Sequence, residues 1–301
     1  MLETLALLVR GLSLGRSAQL WEIAVWMPWD IQLTSGVRGF ERWLADPHVV
    51  VADLFAPFVW AMQASLGNET VYLILDCTQV GPRCRTLLAS LAYHETVLPL
   101  GWQSIAGKKG HVTGAFQKAL LRRLHPYLSA YRHVIVLGDA EYCNETVITW
   151  VQPQHWDFVL HTRERTLVRT TDDPAWPPVA EFLDSRGLRA GQVRHWEQIC
   201  FTQEHRLADL TLTIPWGVAE KRPICLISNL PASAQPHQVY ERRFWIEIVF
   251  TQMTKGHLFA CGGRWDDVAD FHLSVVNDHA VNQQLYQLSA LGEIQLLECR
   301  L

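Results

Sequence analysis

Two apolar runs in this 301-residue sequence carry an aspartate at their far ends: TVYLILDCT, with Asp76, and HVIVLGDAEY, with Asp139. Short β-rich apolar runs between polar flanks read as buried strands. A carboxylate at the carboxyl end of such a strand is costly unless it is paired, hydrogen-bonded or bound to metal, and ligand sites in α/β sheets open at those ends. If the two strands are neighbours, Asp76 and Asp139 sit side by side and repel. A divalent cation relieves that repulsion, and Mg²⁺ (or Mn²⁺) takes a few carboxylates together with waters and phosphate oxygens. A third carboxylate, Glu247, lies in VYERRFWIEIVFTQMTK (239–255). At about 100° per residue, Tyr240, Arg243 and Glu247 fall in one stripe roughly 60° wide beside an apolar face. Such a stripe is either a solvated surface or one wall of a site. Three carboxylates could hold two metals about 4 Å apart and support in-line displacement at phosphorus. Taken singly, a strand-terminal aspartate is most often a turn or cap residue, and Glu247 a surface helix glutamate.

The elements that must position these groups follow from periodicity. Residues 1–68 read as helices: LETLALLVRGL, AQLWEIAVWM, VRGFERWLADP and VADLFAPFVWAMQASL, the last with a kink near Pro57. From residue 69 the pattern turns to strands, with TVYLILDCT followed by TLLASLAYH and TVLPLGWQSI and a turn at Gly81-Pro82. AFQKALLRRLHPYLSAY predicts a helix, HVIVLGDAEY a strand, ETVITWVQ a helix and WDFVLHT a strand. Residues 164–224 are richer in Thr, Pro, Gly and Arg, with short alternating segments such as TLVRTT and LTLTIPW, and read as a β-rich insertion. PICLISNL restores a strand, and PHQVYERRFWIEIVF predicts one helix carrying the stripe.

Composition sets the outer limits. The sequence is 49% hydrophobic and 19% charged, ordinary for a folded protein with a sizeable core. No run is apolar enough for a membrane span and no basic leader precedes one, so a cytoplasmic protein without a membrane partner is expected. The seven cysteines form no C-x-x-C pair and no zinc spacing, consistent with free thiols. The N-E-T triplets at Asn68 and Asn144 read as chance matches to a glycosylation pattern. Charge is uneven: the net −4 sits entirely in residues 257–301, whereas residues 104–125 hold Lys108, Lys109, Lys118, Arg122 and Arg123 with no acid. That stripe is either a phosphate footprint or one solvated helix face.

In this order the pieces resemble the DDE transposases of the bacterial insertion-sequence-four group. The resemblance rests on VRGFERWLADP, LILDCT, LPLGW, VLGDAEY, DFVLHTR and SNL leading into Y-x-x-R-x-x-x-E, over roughly residues 36–165 and 225–250. It implies an RNase H-like mixed α/β sheet flanked by helices, with a β-rich insertion and an all-helical N-terminal region. The implied divisions are 1–68 for a DNA-end-binding region, 69–163 and 225–256 for the core, 164–224 for the insertion and 257–301 for an atypical acidic tail. By the resemblance, Asp76, Asp139 and Glu247 are the catalytic, metal-holding carboxylates, and Tyr240 and Arg243 contact a phosphate near the cut end. The expected partner is DNA, both transposon ends and target, bound by a homodimer in the nucleoid-associated cytoplasm of a bacterium.

Several positions depart from the family pattern. Thr254 stands where a lysine is expected and Lys255, the DNA-contact candidate, follows it about 100° further round the helix, so it either swings back to the site, directly or through a π-bulge, or no longer serves it. Phe244 replaces the usual tryptophan, with Trp245 next. Arg38 and Arg42, one turn apart, are the best phosphate-contact candidates in a region where acids outnumber bases. Trp156, Trp176 and Trp196 are candidate stacking surfaces for a flipped base. The expected activity is metal-dependent cleavage at transposon ends followed by strand transfer from the freed 3′-hydroxyl. The alternatives are an inactive remnant that binds DNA or oligomerises, and a metal-dependent nuclease without strand transfer.

Overall fold

The computed structural model describes residues 2–15, 19–28, 31–67, 69–80, 84–107 and 110–247. Three amphipathic helices, α1 (Leu2–Gly15), α2 (Leu20–Val25) and α3 (Leu33–Leu44), bury Leu8, Leu12, Ile23, Ala24 and Phe40 against one another in a small core of their own. Gly11 makes this possible, because a Cβ there would meet Ile23 at 2.6 Å. A fourth helix, α4 (Val51–Leu66), runs unbroken through Pro57, where a kink is expected from the sequence. Its Val59 and Met62 join the main core, and Phe55 meets Trp102 edge-on with ring centroids 5.0 Å apart.

Among the described residues, the rest of the chain is built on a mixed sheet of nine strands in the order β3-β2-β1-β4-β5-β9-β8-β7-β6. Strands β1 (Thr70–Val80), β2 (Cys84–Tyr93) and β3 (Thr96–Ala106) form an antiparallel meander. Antiparallel neighbours need only tight turns, whereas a parallel neighbour needs a crossover. Helix α5 (Gly114–Leu128) supplies it, returning the chain to β4 (His133–Gly138) beside β1, and α6 (Glu145–Val151) does the same for β5 (Asp157–His161) beside β4. The 3-2-1-4-5 order with β4 and β5 parallel to β1 is the expected RNase H-like arrangement.

The β-rich stretch after it holds β6 (Val168–Arg169), α7 (Val179–Ser185), β7 (Val193–Phe201) and β8 (Leu207–Pro215). These strands continue the same sheet, because β8 pairs with β9 (Leu226–Ser228), which pairs with β5. Strand alternation divides the apolar side chains between two faces. Leu73, Leu75, Val136, Phe158 and Leu160 pack under α5 and α6, while Ile74, Ile135, Leu137, Val159 and Leu226 pack under α8 (Pro236–Tyr240) and the turns that follow it.

The S-N-L element is structural. The Asn229 side chain accepts a hydrogen bond from the Phe158 N–H at 2.8 Å and donates to the Trp156 carbonyl and to Asp157, tying the end of β9 to the start of β5. Trp156, a stacking candidate from the sequence, is buried between Trp150 and His125, so it is a core residue and presents no face to a base. Removing Asn229 strands the Phe158 N–H inside the fold, at a cost of about 1–3 kcal/mol. Asn229→Ala is therefore expected to lower the unfolding free energy by that amount, read as a lower urea midpoint, and an unchanged midpoint would contradict the role.

Candidate active site at the β1–β4 edge

Parallel pairing between β1 and β4 runs from Thr70↔His133 to Leu75↔Gly138. The next residue on each strand is an aspartate, Asp76 on β1 and Asp139 just past β4, so the register itself sets the two carboxylates side by side. β1 does not stop at Asp76, as its apolar run suggests; it continues to Val80, paired only with β2. Asp76 therefore marks the end of the parallel ladder rather than the end of the strand. Alternation with Ile74 and Leu137 points both side chains to the α8 face.

Each aspartate also does local backbone work. Asp76 accepts from the Cys77 N–H at 2.8 Å, and Asp139 accepts from the Glu141 N–H at 2.8 Å, closing the turn that leaves β4. Gly138 is required at this turn, because a Cβ would lie 2.8 Å from the Tyr142 ring, which is fully buried beneath the two aspartates. The G-D-x-x-Y spacing is thus a packing constraint that holds Asp139 in place.

The stripe that covers the pair is not one α-helix. After α8, residues Glu241–Phe244 tighten into a 3₁₀ turn before helical geometry resumes at Trp245. Tyr240, 4% exposed, anchors in the apolar layer with its ring edge-on to Phe244. Arg242 lies over the Tyr72 ring at 4.4 Å, pinning the turn from its other side. Arg243 then reaches inward: its Nη2 donates to Asp76 Oδ2 at 3.0 Å and its Nη1 to Glu247 Oε1 at 2.7 Å. One guanidinium bridges two of the three carboxylates.

Asp76 feels the charges of both other acids. Burial pushes the Asp76 carboxyl up to about 6; Arg243 and the Cys77 N–H oppose that rise, and the Asp139 and Glu247 charges add to it. An ion pair at 3.0 Å ordinarily lowers a carboxyl, but here the desolvation of a buried group outweighs it. Among the described residues no three acidic, histidine or cysteine side chains already close on one point. The donor set is nonetheless oxygen-only, three carboxylates facing one guanidinium, which fits a hard divalent cation such as Mg²⁺ or Mn²⁺. Asp76 and Asp139 would hold it, with Glu247 joining once Arg243 lets go.

One residue at this edge is not visible from the motifs. The β4–β5 ladder ends at Gly138↔Leu160, so His161 falls beside Asp139 and extends the row Asp76–Asp139–His161 across three strands. Burial holds His161 below the usual histidine range, with Asp139 pulling it up and Arg243 pushing it down. Counting register across the three strands would have found it.

Other candidates lie elsewhere. Arg38 and Arg42 are exposed on α3, within the helical unit, where Arg42 Nε donates to the Arg38 carbonyl. Of the basic stripe, Arg123 donates to the Trp102 carbonyl and so braces β3. Trp176 sits under Arg169 at 5.2 Å, and Trp196 meets Phe182 edge-on. Lys108, Lys109, Lys255 and the acidic tail from residue 257 lie outside the described residues. All five described cysteines are free, and among the described residues no helix is long and apolar enough to cross a membrane.

The raised Asp76 carboxyl has a consequence for stability. Between about pH 4 and 6 the folded protein keeps a proton that the unfolded chain has lost, so stability falls as pH rises through that window, by up to about 3 kcal/mol. Asp76→Asn should remove this component. Urea unfolding of both proteins at pH 4.5 and 7 tests it, and the same pH dependence in the two would contradict the assignment.

The sequence matches the family described as Transposase DDE domain over residues 76–261, and no curated protein matches it. Similar solved structures include the piggyBac transposase synaptic complex with hairpin DNA (15% identity, 74% of this chain and 48% of that one, TM-score 0.46). Human endonuclease V is similar at 12% identity over 60% of this chain and 78% of that one, with TM-score 0.30. The NurA nuclease from Sulfolobus solfataricus is similar at 10% identity over 72% and 84%, with TM-score 0.29. This chain thus spans about half the length of the piggyBac transposase it matches. The family match takes in Asp76, Asp139, Arg243 and Glu247 and extends over more than half of the sequence, so the chain belongs to the Transposase DDE domain family.

Proposed function

We infer that this chain cuts DNA at transposon ends in a divalent-metal-dependent reaction and joins the freed 3′-hydroxyl to target DNA. The observation that carries this reading is the register that sets Asp76 and Asp139 side by side, one residue beyond the last β1–β4 pair, with Glu247 tied to them through Arg243. Asp76, Asp139 and Glu247 are the metal-holding groups, and the ion, Mg²⁺ or Mn²⁺, supplies Lewis-acid activation of the attacking oxygen and neutralisation of charge on the phosphate.

The protein's own groups prepare the site for a polyanion. Arg243 has two donor edges, each now on a carboxylate, and a scissile phosphate offers the same bidentate geometry to either. Tyr240 and Arg242 fix the turn from which Arg243 reaches. His161 lies at the far end of the same row. Arg38, Arg42, Lys108 and Lys109 are proposed as phosphate contacts further along the duplex, where each neutralised phosphate adds to a salt-dependent affinity.

The test is cleavage of a plasmid carrying the element's own flanking DNA, with Mn²⁺, by the wild type and by Asp139→Ala. The expected result is nicking by the wild type and a loss of about three orders of magnitude in the variant. Cleavage retained in Asp139→Ala would overturn the assignment, and nicking without joined products would leave a nuclease in place of a transposase.

A further inference from the structure

A cavity of about 490 Å³ opens beside Ala140 and Glu141, immediately after Asp139. It lies between the start of α5, the start of α6 and the chain leaving β5. Its size is within the roughly 300–1,000 Å³ of small-ligand sites, and its walls are mixed, with Val112, Cys143 and Phe201 beside Thr162, Arg163 and Arg165.

The charges in this cavity are not balanced. Its one acid, Glu141, is already satisfied on both oxygens, by His111 Nδ1 at 3.1 Å and by the Val112 N–H. His111 is held in turn by Arg85, which donates to its carbonyl at 2.8 Å. Against this one hydrogen-bonded acid stand two exposed arginines. Arg163 makes one long contact, 3.5 Å to His111 Nε2, and Arg165 has no hydrogen bond or ion pair with any described residue. The contrast with Arg243 is direct, since that guanidinium is engaged on both edges.

We propose that this cavity is a DNA subsite that takes a nucleotide of the strand running past Asp139, with Arg163 and Arg165 clamping its phosphodiester. The proposal rests on the reading of the chain as a DNA-cutting enzyme and adds where the strand goes after it leaves the carboxylates. Arginine suits the role because its planar fork matches phosphate oxygens. The neighbouring threonine hydroxyls lie where a sugar and a base edge would follow. Asn144 offers no free donor there, since its amide N–H groups are used on Gln117 and the Glu141 carbonyl and its Oδ1 caps α6, which keeps that wall rigid.

Fluorescence anisotropy with a labelled duplex of the element's end, without metal, tests the clamp apart from catalysis. The double charge reversal Arg163→Glu/Arg165→Glu is expected to weaken binding by about tenfold or more at low salt and to lower the salt slope by about two. Arg163→Lys/Arg165→Lys should keep most of the affinity. Arg189→Glu/Arg194→Glu, at the other end of β7 from the cavity, makes the same charge change and should weaken binding far less. Circular dichroism and thermal unfolding establish that each variant is folded. Equal losses in the two charge-reversed pairs, or no loss in the first, would overturn the subsite while leaving the cleavage reading intact. A wild type that binds and loses affinity as expected but never cuts would uphold the subsite and sink the cleavage reading; one that binds no DNA would overturn both.

Discussion

Everything at the functional edge depends on one constraint, the register of the parallel pair β1–β4. Because Leu75 lies opposite Gly138, the next step along both strands places two carboxylates next to each other at the point where the parallel ladder ends. A shift of one residue would turn one of them into the opposite apolar core. The register is fixed by that core: Leu73, Leu75 and Val136 on one face and Ile74, Ile135 and Leu137 on the other leave no alternative pairing that buries both sets. The parallel geometry in turn obliges α5 and α6 to exist as crossovers, and their packed faces make up much of the main core.

Placing two like charges together has an electrostatic consequence that the rest of the site answers. Arg243 supplies the counter-charge, held in reach by Tyr240 in the apolar layer and by Arg242 over Tyr72. It does so incompletely, because desolvation outweighs it, and the Asp76 carboxyl stays well above the usual carboxylate range. A guanidinium between two acids is the arrangement that a divalent ion and a phosphate together can replace: the ion takes the carboxylates and the phosphate takes the arginine. The covering turn is 3₁₀ where a plain helix would carry Arg243 at a different pitch, so the local tightening and the ion pairs belong to the same solution.

Much of this was legible in the sequence, for reasons that can be stated residue by residue. Asp76 and Asp139 stood out because each follows a long apolar run, and Glu247 because it shares a stripe with Tyr240 and Arg243. The helices of the amino-terminal unit followed from their periodicity. The misses have physical causes. Strand β1 runs past Asp76 because β2 continues to pair with it, and hairpin partners are not visible in one strand's own pattern. His161 is polar in a short strand and gains meaning only when three strands are set in register. Trp156 looked like a stacking surface by residue type, yet aromatic type says nothing of burial. The β-rich segment reads as an insertion by composition, while its joining to the core sheet depends on the three-residue β9, too short to announce its neighbours.

The central claim is that Asp76 and Asp139 form one oxygen-donor centre for a divalent ion. Calorimetric titration of Mn²⁺ into the wild type and into Asp76→Ala, each with a duplex of the element's end present to complete the coordination shell, tests it most directly. The account predicts saturable binding in the wild type that disappears in the variant. Equal binding by both, or none by the wild type with DNA bound, would contradict it.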